Sequence, residues 1–253
     1  MKEGSVIALY YAGRLTQFPQ ALFGTAVATV SLPLMSSSSL SSGFDKMRDV
    51  LGTGIRMVLL TILPASVGLM ILARPIVALL FERGQFTVAA TAMTSWALLF
   101  YATGLIGYAG VSLMTASFYS LKDTKTPVKI AAFCMVLNIV LNLILMGPLQ
   151  VGGLALASAV ASFANLSLLM LFLKKRIGGL GIKNILPSFL KMLLASSLLA
   201  AFCAGSHGFF KGGSRLVHMG ITIPLGILVY VLTLYLLKCE EITKITKRGR
   251  FLS

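Results

Sequence analysis

The sequence predicts an all-α integral membrane protein, on three observations. Of the 253 residues, 57% are hydrophobic and only 11% charged, where soluble domains carry about 25% charged residues. Such a chain has too little polar surface to cover a water-soluble globule. Its apolar residues fall into seven runs, each near the roughly 20 residues a helix needs to cross the hydrocarbon core. Its 22 lysines and arginines gather between those runs, dense and sparse by turns, as membrane topology requires. That placement accounts for the net charge of +15 without a nucleic-acid partner, and none is expected.

The predicted spans are 5–35, 54–80, 92–117, 128–147, 152–173, 187–206 and 217–237. The first is long for one crossing, so it should tilt, bend near Pro19, or protrude. Pro33, Pro64 and Pro75 are further places for bends, tolerated when neighbouring groups satisfy the freed carbonyls. Gly24 and Ala28 have the small-xxx-small spacing that lets two helices approach closely. Connectors rich in breakers separate the runs: "SSSSLSSGFDK", "FERGQFT", "LKDTKTP", "MGPLQVGG", "KKRIGGLGIKN" and "GSHGFFKGGSR". Serines 36–39, 41 and 42 are expected to form a flexible polar link.

One set of connectors plus the C-terminal tail carries sixteen of the 22 basic residues, and the other side five, with Arg14 left over. The positive-inside rule therefore predicts a cytoplasmic C-terminus and, with seven spans, an outside N-terminus. Nothing upstream of the first run would carry its N-terminus outside. The chain reads as the later portion of something larger.

Arg14 is the conspicuous polar residue, since an arginine at mid-bilayer costs about 2.5–3.5 kcal/mol or more. It lies about 15 Å along the first helix at 1.5 Å per residue. Gln17 shares its face, with Thr16 and Gln20 toward the flanks. One reading is an interfacial arginine snorkelling to the headgroups. The other is a cation lining a cavity for an anionic substrate, favoured because Gln17 and Gln20 carry the polar face deeper than snorkelling needs. Asn138 and Asn142, one turn apart, and Asn165 in the next span suit interhelical hydrogen bonds.

Enzyme chemistry has little support. There are seven acidic residues, no carboxylate pair within a span and no Ser-His-Asp set. No cofactor motif occurs, since "GGLGIK" lacks the spacing of a phosphate-binding loop. His207 and His218 are too isolated for a metal site. Cys134 and Cys203 sit in apolar runs as small packing residues. Cys239, beside the basic tail, has the setting of a palmitoylated cysteine.

Four stretches resemble, in order, successive segments of one family. "GSVIALYYAGRLTQFPQALFGTAVATVSLPLMS" is similar to the segment GSVxxxYYADRLxxxPxGxxGxAxxTxLLP of the MurJ/MviN lipid II flippases. "LLFERGQFT", "WALLFYATGLIGYAGVSLMTASFYSLKDTKTPVKIA" and "LNIVLNLILMGPLQVGGLALASAVASFANLSLL" resemble the segments that follow. The match covers most of residues 4–175, while the last two helices agree only in position and hydropathy. The family belongs to the multidrug/oligosaccharide-lipid/polysaccharide exporter superfamily. Its fold, by this resemblance, is fourteen helices: two six-helix lobes plus a C-terminal pair. This chain would supply helices eight to twelve in residues 1–183 and helices thirteen and fourteen in 184–253. The N-terminal lobe and the first helix of the second lobe would be missing, to be supplied in cis or in trans.

The resemblance implies alternating access, with an undecaprenyl-pyrophosphate-linked lipid as substrate and membrane lipids around it. Arg14 matches the family's cavity arginine of the second lobe, whose role would be to hold the pyrophosphate. Gln17, Gln20 and Ser112 are further substrate-binding candidates. Residues 187–237 would form a groove for the lipid tail. The chain departs from the family pattern at three positions. Gly13 stands where aspartate is common, Gln17 where some members have glutamate, and Ser112 where many carry lysine. Two alternatives stay open: an exporter of other polyprenyl-linked saccharides, and a non-transporting membrane scaffold subunit of cell-wall assembly.

Overall fold

The computed structural model describes residues 4–41, 44–181, 185–209, 215–239 and 241. Among them every regular element is helical. Six helices are long and apolar enough to span a membrane, and a bent pair makes a seventh crossing. The chain is an all-α integral membrane protein.

The first crossing is α1 (Ser5–Pro19), a π-helical turn (Gln20–Thr25) and α2 (Ala26–Ser41). The irregularity begins directly after Pro19, whose missing N–H cannot bond back to the preceding turn. Here the helix widens rather than breaks, and the Thr25 hydroxyl donates to the Gln20 carbonyl at 3.4 Å. The serines do not form the expected loose link, because α2 continues to Ser41. Serine hydroxyls can satisfy themselves on the preceding turn of a helix, and Ser37 Oγ donates to the Leu34 carbonyl at 3.1 Å. Ser42 lies outside the described residues.

The second crossing, α3 (Phe44–Ile71), starts well before its apolar run, with a charged first turn. It breaks at Leu72 and resumes as α4 (Ala73–Phe81). Pro75 then falls in the first turn of α4, where a missing N–H costs no helical bond. The third crossing is α5 (Val88–Thr103) and α6 (Leu105–Ser120), joined at a 44° bend. Gly104 occupies the bend, and a Cβ there would lie 2.8 Å from Ala159 Cα, so only glycine admits the neighbouring backbone.

The remaining crossings are α7 (Lys125–Leu149), α8 (Val151–Ile177), α9 (Ile185–Phe209) and α10 (Arg215–Leu236). The α7–α8 connection is tighter than a glycine-rich loop: Gln150 alone separates the two helices, at φ 50°. Only 11% of the apolar window of α7 is buried, against 28–33% for the other single-helix spans, which puts α7 at the edge of the bundle.

The main core lies where α2, α3, α6 and α8 meet, around Met35, Leu51, Leu113, Phe118 and Leu173. Gly24 is part of its contact surface: a Cβ there would fall 2.8 Å from Ala109 Cβ, so the small-residue spacing does bring α6 close. A second core, around Ala12, Val77, Leu98 and Ala155, ties α1 to α4, α5 and α8. The α9–α10 pair is joined to the rest through Leu63, Met192, Tyr230 and Leu234. Tyr230 also donates to the Leu60 carbonyl at 2.8 Å.

Candidate functional site

At one end of the bundle, charged groups are paired. Arg48 donates to Asp45 Oδ1 at 2.7 Å and to the Ile177 carbonyl. Arg176 pairs with Asp123, which also accepts from the Thr126 backbone N–H at 3.0 Å. That backbone donor, the Thr126 hydroxyl and Arg176 hold the Asp123 carboxyl below the usual carboxylate range, against the effect of burial. Arg56 lies 3.7 Å from Glu241. Glu241 is buried and accepts from Ser188 Oγ at 3.1 Å and Cys239 Sγ at 3.0 Å. Burial alone would push Glu241 up. The Cys239, Ser188 and Arg56 contacts outweigh it and leave the carboxyl below its ordinary value. Burial and the adjacent Glu241 push the Cys239 thiol up to about 12. A buried thiol held neutral in this way does not fit the palmitoylation setting expected at Cys239.

Arg14 behaves differently. It is exposed on α1, and among the described residues it makes no ion pair. Its polar partner among the described residues is Tyr10, four residues earlier and thus on the same face. Arg14 Nη2 donates to Tyr10 Oη at 3.1 Å, and the guanidinium carbon lies 5.1 Å from the ring centroid. Gln17 is exposed on the same side. Thr16 is not part of that polar face as expected; it is buried, and its hydroxyl donates to the Gly13 carbonyl at 2.9 Å.

Gln20 and Ser112 come together in a separate place. A groove of about 350 Å³ is lined by Gln20 from the π turn, Tyr108 and Ser112 from α6, Asn138 from α7, and Ser158 and Asn165 from α8. Asn138 Nδ2 donates across to Ser158 Oγ at 3.4 Å, and Asn142 Nδ2 to Asn138 Oδ1 at 3.0 Å. Asn138 thus bridges α7 and α8 as expected, whereas Asn142 bonds within α7. Yet Asn165 Oδ1, Asn142 Oδ1 and Tyr108 Oη are buried with no hydrogen-bond partner among the described residues. The groove is neutral and hydrogen-bonding, and it does not include Arg14 or Gln17. A larger groove of about 510 Å³ between α2 and α3 is mostly apolar, with Asp49 its charged lining residue.

Among the described residues no cluster of His, Cys, Asp and Glu could hold a metal ion. The side chains of His207 and His218 lie outside the described residues. Reading the sequence missed Tyr10 and Tyr108. Tyr10 had a usable signal in its i, i+4 spacing to Arg14; Tyr108 had none without the helix packing.

Fold and site together define a multi-span helical membrane protein with an arginine on its first helix that is unpaired among the described residues, and an uncharged polar groove inside its bundle. The family model described as "Lipid II flippase MurJ" matches residues 1–224. The chain belongs to the MurJ family. A probable lipid II flippase MurJ from Vibrio cholerae is 41% identical over 169 residues, 67% of this chain and 32% of that protein. A second, from Rickettsia prowazekii, is 33% identical over 97% of this chain and 50% of its own length. The solved structure "Lipid II flippase MurJ, inward closed conformation" superposes with a TM-score of 0.76 at 27% identity, covering 99% of this chain and 49% of that one. The chain therefore spans about half the length, or less, of the relatives it matches.

Proposed function

We propose that this chain is the C-terminal portion of a lipid II flippase in a bacterial inner membrane, working by alternating access together with an N-terminal lobe supplied in cis or in trans. Residues 1–183 would be second-lobe helices and 184–253 the C-terminal pair with a cytoplasmic tail, an orientation supported by the asymmetry of basic residues. The role is transport, not bond-making chemistry.

Arg14 holds the substrate's pyrophosphate. The observation that carries this reading is an exposed arginine in a membrane span, with no carboxylate partner among the described residues, in a chain of this family. Guanidinium stays charged and meets phosphate oxygens with two parallel donors. Gln17, on the same exposed side, extends the donor set. Gln20 and Ser112 contribute from the neutral groove, toward uncharged parts of the headgroup. A membrane potential negative inside favours outward movement of the anion by about 2.3 kcal/mol per charge per 100 mV.

Complementation tests this. In cells depleted of their own lipid II flippase, the chain is expressed alone, with a family N-terminal half, and in that pair with Arg14→Ala. Rescue by the pair, lost with Arg14→Ala at unchanged membrane levels, is the expected result. Rescue retained by Arg14→Ala would end the pyrophosphate role.

A further inference from the structure

We propose that Tyr10 is a positioning residue for Arg14, part of an aromatic buttress that holds the guanidinium outward on the exposed face of α1. The proposal rests on the reading of Arg14 as a pyrophosphate ligand.

The buttress joins two tyrosines of α1 to two phenylalanines outside it. Tyr11 packs against Phe81 at the end of α4, with ring centroids 4.5 Å apart, and against Phe86 of the following loop at 5.7 Å. Phe81 and Phe86 themselves lie 5.9 Å apart. These three rings fix the rotation of α1 about its axis at this level. Tyr10 rests edge-on against Tyr11, at 5.7 Å and 74°. It stands out from the bundle, 56% exposed. From there its ring and hydroxyl meet Arg14 one turn below.

Tyr10 has a physical task. A free arginine side chain samples many rotamers. In a membrane span it would otherwise snorkel toward the headgroups. Tyr10 uses one guanidinium donor and one face contact, and it carries no negative charge. Guanidinium has five N–H donors. Those left have no protein acceptor among the described residues. A carboxylate partner would hold the arginine as firmly, but would compete with phosphate for it. Tyr10 restrains the cation without neutralising it.

The test uses the purified chain in lipid nanodiscs, with undecaprenyl pyrophosphate as probe and undecaprenol as the uncharged control. The wild-type chain is expected to prefer the pyrophosphate, and Arg14→Ala to lose that preference. Tyr10→Phe, which keeps the ring, should weaken pyrophosphate binding about threefold, and Tyr10→Leu about tenfold, the sizes expected for a hydrogen bond and a cation–aromatic contact at an exposed site. Neither should change undecaprenol binding, and neither should have any effect in the Arg14→Ala background. Pyrophosphate binding unchanged in both Tyr10 variants would overturn the positioning role while leaving the Arg14 site intact. The same follows if they weaken it equally without Arg14. A wild-type chain with no pyrophosphate preference, or an Arg14→Ala chain that keeps it, would overturn the underlying site and the positioning role together.

Discussion

Arg14 on α1 and Arg56 on α3 both lie in helices that cross the membrane, and the protein treats them in opposite ways. Arg56 reaches a carboxylate, Glu241, whose side chain is 5% exposed and is further held by Ser188 and Cys239. Its charge closes a contact between α3, α9 and the segment after α10. Arg14 has an aromatic ring and a hydroxyl, and no counter-charge among the described residues. A fold that needs a cation for stability pairs it, since an unpaired charge removed from water is costly. One left accessible and unpaired at membrane depth points to a ligand.

The largest separation should come from truncating the two arginines. Arg14→Ala should abolish rescue by the paired flippase while leaving thermal stability within about 0.5 kcal/mol, as for an exposed side chain. Arg56→Ala should do the reverse, costing about 3 kcal/mol by leaving Glu241 buried without its cation. Denaturation of each variant in detergent measures both.

Acid should sharpen the contrast. The Glu241 carboxyl is depressed in the folded state, so its contribution is present above the ordinary glutamate value of 4.5 and lost as pH falls through the lower folded value. Melting temperatures taken down that range should fall less steeply in Glu241→Gln than in wild type. Arg14→Ala should not alter the slope, because among the described residues Arg14 has no carboxylate partner whose titration it would shift.

The neutral groove offers a smaller effect of the opposite sign. Asn165 Oδ1 is buried without a partner among the described residues, and replacing an unsatisfied polar group by an apolar one of similar shape is neutral or stabilising. Asn165→Leu should leave the isolated chain as stable or up to about 1 kcal/mol more stable, while lowering rescue by the pair. The smallest effect is expected at Gly13, where a Cβ would meet nothing within 4 Å. Gly13→Asp should change stability by less than about 0.5 kcal/mol. If the carboxylate engages Arg14, it should weaken pyrophosphate binding.

What was legible in the sequence follows from what is local. The crossings are written in continuous apolar runs, and Pro19 marks where the first helix turns irregular because a proline's effect on its own helix needs no partner, although the π form of that irregularity was not legible. The helical continuation of α2 through its serines was not legible, because a hydroxyl such as that of Ser37 returns to the backbone only once the helix has formed. Arg14 stood out as a charge in an apolar run, but which neighbours its face meets depends on how α1 packs, and Tyr11, Phe81 and Phe86 hold that packing. The Arg56–Glu241 contact joins α3 to the far end of the chain. Arg56 sits at the start of the apolar run 54–80 and Glu241 in the segment after the last run, so nothing local pairs the two.

The most direct test of the Arg14 site is the shift in melting temperature that undecaprenyl pyrophosphate produces. A ligand that binds only the folded chain stabilises it by about 2.7 kcal/mol at a hundred times its dissociation constant. The chain in nanodiscs should melt higher with the pyrophosphate than with undecaprenol. Arg14→Ala should keep the unliganded melting temperature and lose the difference. An equal shift in wild type and Arg14→Ala would contradict the account, because the unpaired arginine would then not be the group that holds the phosphate.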